Sequence, residues 1–288
     1  MLVTGVLWTA VGIVFGRAPD ERGQLGSFFA LNGMFYVLFI WILHFPQAAD
    51  PAEVLRLSIF MLPAAIAELI GFLLLKYAMA RGSQGIAWSI VQSSMVLPFL
   101  GAIVFLNNHA GYVKFLGALI LLGGLALLGL RNEQQKGGEA ETGDGKGYLP
   151  LAFSAFLLIG FGQFLRITPG NIGFSEAALS WRLPVTAPCG MIFWMCYSLS
   201  KHSFFPGKVW KLALFYGMIT SLGQICFFCA VDAADPRGIT SIVYPVAVGT
   251  SILLFAAYCV LFRKEKFSKA GWLGVASIAS GIALLSAG

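Results

Sequence analysis

Glu68 stands near the middle of an apolar run from Val54 to Met79, about 15 Å in at the usual helical rise. A carboxyl group at that depth is costly, and such groups generally face a cavity and mark an ion or substrate path. One that gains and loses a proton there suits a proton carrier. The bland alternative is a neutral carboxyl bonding a neighbouring helix for packing alone. Gln92, Ser94, Gln163, Gln224, Ser241 and Tyr244 lie in other apolar runs and supply uncharged donors and acceptors. Together with the flat faces of Trp8 and Trp88 they make the kind of set that holds a small polar ligand, a neutral polyol or sugar above all. Ser hydroxyls that bond back to their own helix, and aromatics that only fill gaps, are the competing reading.

A second group is charged. Arg166 ends one apolar run, and Glu176 and Arg182 lie at the start of the next. Six residues apart, Glu176 and Arg182 do not share a helical face squarely. Arg166 is therefore the expected partner of Glu176 across the loop, and the three read as an outer gate or, failing that, as snorkelling anchors. Pro98 and Pro245 remove hydrogen bonds inside apolar runs and are the candidate hinges.

Other chemistry has little footing. There is no Ser, His and Asp set, no metal-spaced His pair and no Walker loop, so an enzyme, a cofactor or a bound metal is not expected. Gly160-Phe161-Gly162 lies within an apolar run and not after a strand, which removes a phosphate-loop reading. The five cysteines sit inside predicted helices and act there as small apolar fillers. The net charge of +6 comes from short loops, which argues for membrane orientation over nucleic acid.

These residues need a scaffold in lipid. Apolar residues make up 58% of the chain and charged ones 11%, against roughly 25% charged in soluble domains. An all-α polytopic membrane protein in the lipid bilayer is expected, with ten spans: Leu2 to Gly16, Leu25 to Phe45, Val54 to Met79, Gln84 to Leu106, Gly111 to Leu130, Tyr148 to Leu165, Ser175 to Leu199, Val209 to Ala234, Gly238 to Phe262 and Ala270 to Ala287. Residues 131–147, rich in Gly, Glu and Lys, read as a linker between a first repeat, 1–130, and a second, 148–288. Gly85-Ile86 is echoed by Gly238-Ile239, and Leu116-Gly117 by Leu273-Gly274. Five helices per half is an odd number, so the second copy enters the membrane inverted. Lys and Arg favour one set of loops thirteen to four. That puts the linker in the cytoplasm and both termini outside. Gly117 and Gly124, like Gly274 and Gly281, share one face, so the fifth and tenth spans read as packing elements or as a homodimer surface.

The local pattern Tyr77-Ala78-Met79, Gly85, Pro98 and Leu116-Gly117, with Arg237-Gly238, Tyr244-Pro245, Lys264-Glu265 and Leu273-Gly274 in the second half, resembles the drug/metabolite transporter superfamily of EamA-like ten-helix carriers. The short first helix with its charged loop is more similar to the glucose, ribose and rhamnose branch than to the exporters. The resemblance implies a secondary carrier of the inner membrane that works by alternating access on a small-molecule substrate. Its site is enclosed by the first, third, fourth, sixth, eighth and ninth helices, and proton symport fits Glu68. Export of amino acids, drugs or other metabolites, and a non-transporting scaffold, are the alternatives.

Overall fold

The computed structural model describes residues 1–19, 22–105, 111–130, 147–200, 207–234, 243–265 and 267–287. Among them it is helical, with no strand. In chain order the helices are α1 (Leu2–Gly16), α2 (Arg22–Leu43), α3 (Pro51–Arg81), α4 (Gln84–Gln92), α5 (Val96–Phe105), α6 (Tyr112–Leu130), α7 (Tyr148–Ile167), α8 (Glu176–Leu179), α9 (Arg182–Ser200), α10 (Gly207–Ala234), α11 (Val243–Leu261) and α12 (Lys269–Ala287).

Start signals follow local chemistry. Asp50 caps α3 by accepting from the Ala52 N–H at 3.1 Å, with Pro51 at the first position, where no N–H is missed. The expected fourth span is not one helix. A short 3-10 stretch, Ser93–Met95, separates α4 from α5. Pro98 explains its place: its missing N–H and its ring both fall against the carbonyl of Ser94, four residues back. The seventh span likewise begins as the four-residue α8 before α9 takes over.

The outer surface is as apolar as the interior. On α3 the exposed side chains Leu55, Ile59, Leu62, Ile66 and Ile70 recur at helical spacing, while Leu57, Met61, Ala64 and Leu75 are buried. A helix with no polar face belongs in lipid. Five helices, covering Gln24–Leu43, Pro51–Arg81, Tyr148–Asn171, Glu176–Ser200 and Val209–Phe227, are long and apolar enough to cross a membrane. Over their described residues, Leu2–Gly16, Tyr112–Leu125, Val246–Leu261 and Lys269–Leu285 are shorter apolar helices.

Two kinds of contact hold the bundle. α6 and α12 pack on each other through glycine: a Cβ on Gly117 would stand 2.7 Å from the carbonyl oxygen of Gly281, and one on Gly124 would stand 2.8 Å from that of Gly274. The glycine faces are therefore used within one chain, and any dimer through these helices has to use their outward faces. Elsewhere α3 packs on α7 and α9, α1 on α10 and α11, α2 on α9 and α10, and α4 on α7 and α11. Lys76, near the end of α3, is buried.

Candidate functional site

A cavity of about 310 Å³ opens in the middle of the bundle, at the small end of ligand sites. Its walls come from α1, α2, α3, α4, α7, α9 and α10. Among the described residues none from α11 lines it, whereas α2 and α9, which the resemblance left out, do.

Glu68 and Arg166 are its central pair, with Arg166 Nη2 lying 2.6 Å from Glu68 Oε2. Their side chains retain 12% and 27% of their exposure, so both face the cavity and neither is sealed off. The approach depends on Gly162, which shares a face with Arg166 one helical turn away. A Cβ on Gly162 would meet Glu68 Cγ at 2.6 Å and the Ala64 carbonyl oxygen at 2.9 Å. Bare backbone there lets the Glu68 stem lie against α7, and its carboxylate then meets the guanidinium.

This overturns the expected Arg166–Glu176 pair. Glu176 is exposed on α8. The carboxylate that does bridge to this loop belongs to Glu53, which accepts from the Ser175 N–H and O–H at 2.7 Å each. Arg182, the other candidate gate residue, lines the cavity with Arg166, close enough for the two positive charges to oppose each other.

The uncharged set divides. Trp8, Trp88, Gln92, Gln163 and Gln224 all line the cavity. Trp8 is tilted on Phe227 with ring centroids 5.5 Å apart. Trp88 Nε1–H and Gln92 Nε2–H both reach the buried Ser251 hydroxyl oxygen, at 3.4 and 3.5 Å. Ser94 is buried outside the lining, where its hydroxyl donates to Gln163 Oε1 at 3.4 Å. Ser241 lies outside the described residues, as do the side chains of Tyr244 and Pro245. Ser221 on α10 donates back to the Gly217 carbonyl at 2.8 Å.

Asn32 and Tyr36 on α2 were missed, and both line the cavity. The signal was present: an amide alone in the apolar run from Gly26 to Leu43 carries the same cost as any polar group in lipid. Asn32 Oδ1, Arg166 Nε and Arg182 Nε are buried without a partner.

Such a cavity can hold a small solute among indoles and amides, with two cations and one anion along its wall. An uncharacterised transporter encoded in the cobO 3' region of a Sinorhizobium species is 33% identical to this chain over 138 residues, a match covering 92% of that protein and 48% of this one. The chain belongs to the family of this transporter. It is a multi-pass membrane protein with a transport role. No protein-family model matches it. A solved crystal structure shares the fold with a TM-score of 0.54 over 98% of this chain and 93% of its own, at 15% identity, a likeness of fold alone.

Proposed function

We propose that this protein is a secondary transporter of the drug/metabolite type, carrying one small polar organic solute through the central cavity by alternating access. The observation that carries the reading is the cavity itself, with Glu68 and Arg166 paired inside an otherwise apolar bundle. Charged groups in lipid are tolerated where they face a water-filled path.

The helix partners support two inverted halves. Exchanging first-half helices for their second-half counterparts turns the α3–α7 contact into α10–α1, α4–α7 into α11–α1 and α3–α9 into α10–α2, and all six occur. The α2–α9, α4–α11 and α6–α12 contacts map onto themselves. Nearly all of the Sinorhizobium relative aligns with about half of this chain, which fits a unit built twice. The proposed membrane is the inner one, with the linker in the cytoplasm and both termini outside. A C-terminal reporter active only in the cytoplasm tests that orientation, and activity would refute it.

A sugar is the first solute to test, because Trp8, Trp88 and the three glutamines suit hydroxyls and ring faces. Proton coupling at Glu68 is favoured by its being the one carboxylate among the described cavity residues. Uptake of a solute panel into proteoliposomes, with and without an imposed pH gradient, tests both. Uptake that ignores the gradient in the parent and in Glu68→Gln alike removes coupling. No uptake or counterflow of any solute removes the transporter in favour of a scaffold.

A further inference from the structure

Resting on the transport reading, we infer that the solute is an organic anion, and that Arg182 is the subsite for its carboxylate. The cavity wall carries Arg166, Arg182 and Glu68, one more cation than anion. Glu68 is committed to Arg166 at 2.6 Å. Arg182 has no such partner, its Nε being buried without an acceptor. Neither nearby carboxylate serves it: Glu53 is held by Ser175 and Glu176 is exposed.

Leaving a guanidinium in this position is expensive. It has lost part of its hydration, its Nε is orphaned, and a second guanidinium opposes its charge. A protein that needed only packing at this position would be better served by an uncharged side chain. A bound carboxylate removes all three costs, because a planar guanidinium takes a carboxylate through two parallel N–H bonds. Anion binding brings the cavity to neutrality, with Glu68–Arg166 as one pair and Arg182–solute as the other. The solute body then lies along the indoles of Trp8 and Trp88, and the Asn32 Oδ1 that lacks a donor accepts from a hydroxyl or amino group on it. A neutral sugar fills the same space and leaves Arg182 as it was.

The experiment measures ligand-induced thermal stabilisation of the full chain in detergent. The ligands are a series of small monocarboxylates, each paired with a neutral counterpart, gluconate with glucose and benzoate with benzyl alcohol among them. Carboxylates are expected to stabilise the protein and their neutral counterparts to do so far less. Arg182→Gln should weaken carboxylate binding by about 10- to 100-fold, the range of hydrogen bonds to a charged group, and Arg182→Lys should keep a weakened preference for the acid. Without ligand, Arg182→Gln should melt no lower than the parent, since it removes an unpaired charge. The inference is overturned if acids and neutral counterparts stabilise equally or no acid in the series stabilises. It is overturned too if Arg182→Gln keeps the parent affinity, or melts lower without ligand, which would make Arg182 a structural strut. Counterflow in proteoliposomes separates this from the transport reading. Arg182-dependent acid binding with no counterflow sinks transport alone, and counterflow of neutral solutes unaffected by Arg182→Gln sinks the anion site alone.

Discussion

Glu265 ties the loop after α11 to the start of α4, and removing it should loosen that end of the bundle. The first turn of any helix leaves four N–H groups without partners. In α4 those of Gln84, Gly85 and Ile86 are satisfied, the first two from the second half of the chain. The N–H groups of Gln84 and Gly85 donate to the Glu265 carboxylate at 3.3 Å each. Ile86 N–H reaches the Ser83 hydroxyl oxygen at 3.3 Å, and Ala87 N–H makes the first bond of the helix itself, to the Ser83 carbonyl at 3.0 Å. The Ser83 hydroxyl itself donates to Glu265 at 2.6 Å. One short charge-assisted bond and two long ones at a helix N-terminus come to about 2–3 kcal/mol, the long pair adding little to the short one. Arg263, 3.5 Å from Glu265 and 38% exposed, adds a few tenths at most. Because these bonds join α4 to the loop after α11, their loss acts on the tie between the two and not on either helix alone. A loss of 2 kcal/mol shifts a two-state equilibrium about 30-fold. The assay is the maleimide labelling rate of a cysteine placed at Ala87, which is buried near this end, in a background with the five native cysteines replaced. Glu265→Ala should label about 10- to 30-fold faster, Glu265→Gln a few-fold faster, and Arg263→Ala at nearly the parent rate. Equal rates for Glu265→Ala and the parent would refute the reasoning, and so would an Arg263→Ala effect as large as that of Glu265→Ala.

Three further outcomes follow from the packing. Gly162→Ala puts a methyl group into the contact between α3 and α7 and should cost about 1–3 kcal/mol, read as a lower melting temperature together with reduced uptake; full stability would show that the two helices separate freely. Glu68→Gln strands Arg166 and should cost about 2–3 kcal/mol, less than a fully buried pair because both side chains touch the cavity. Glu68→Gln combined with Arg166→Gln should recover most of that loss, and a double variant worse than the single would mean that the pair is not coupled. On α6, Gly124→Val should destabilise by about 3 kcal/mol, whereas Gly123→Val, with open space where its side chain would go, should be close to neutral; equal effects in a melting assay would show that α6 does not pack on α12 through Gly124.

The helices and five uncharged lining residues, Trp8, Trp88, Gln92, Gln163 and Gln224, were legible because both are written along the chain. Runs of apolar residues set the spans, and a lone amide or acid inside such a run shows its depth by counting. The pairing of Arg166 was not legible by the same means. Proximity across a loop pointed to Glu176, but the choice between Glu176 and Glu68 is made where α3 crosses α7, and the crossing is decided by a residue with no side chain. In the sequence Gly162 shows only that it is no phosphate-binding glycine, whereas the property in use is the room it leaves for a neighbouring helix. The charge of the cavity turns on the same crossing. With Arg166 and Arg182 placed in a gate with Glu176, the site keeps one acid among uncharged donors and indoles, and those donors suit a neutral solute. With Arg166 bound to Glu68 and Glu176 turned to the outside, the sum changes sign, and the chemistry asked of the solute changes with it.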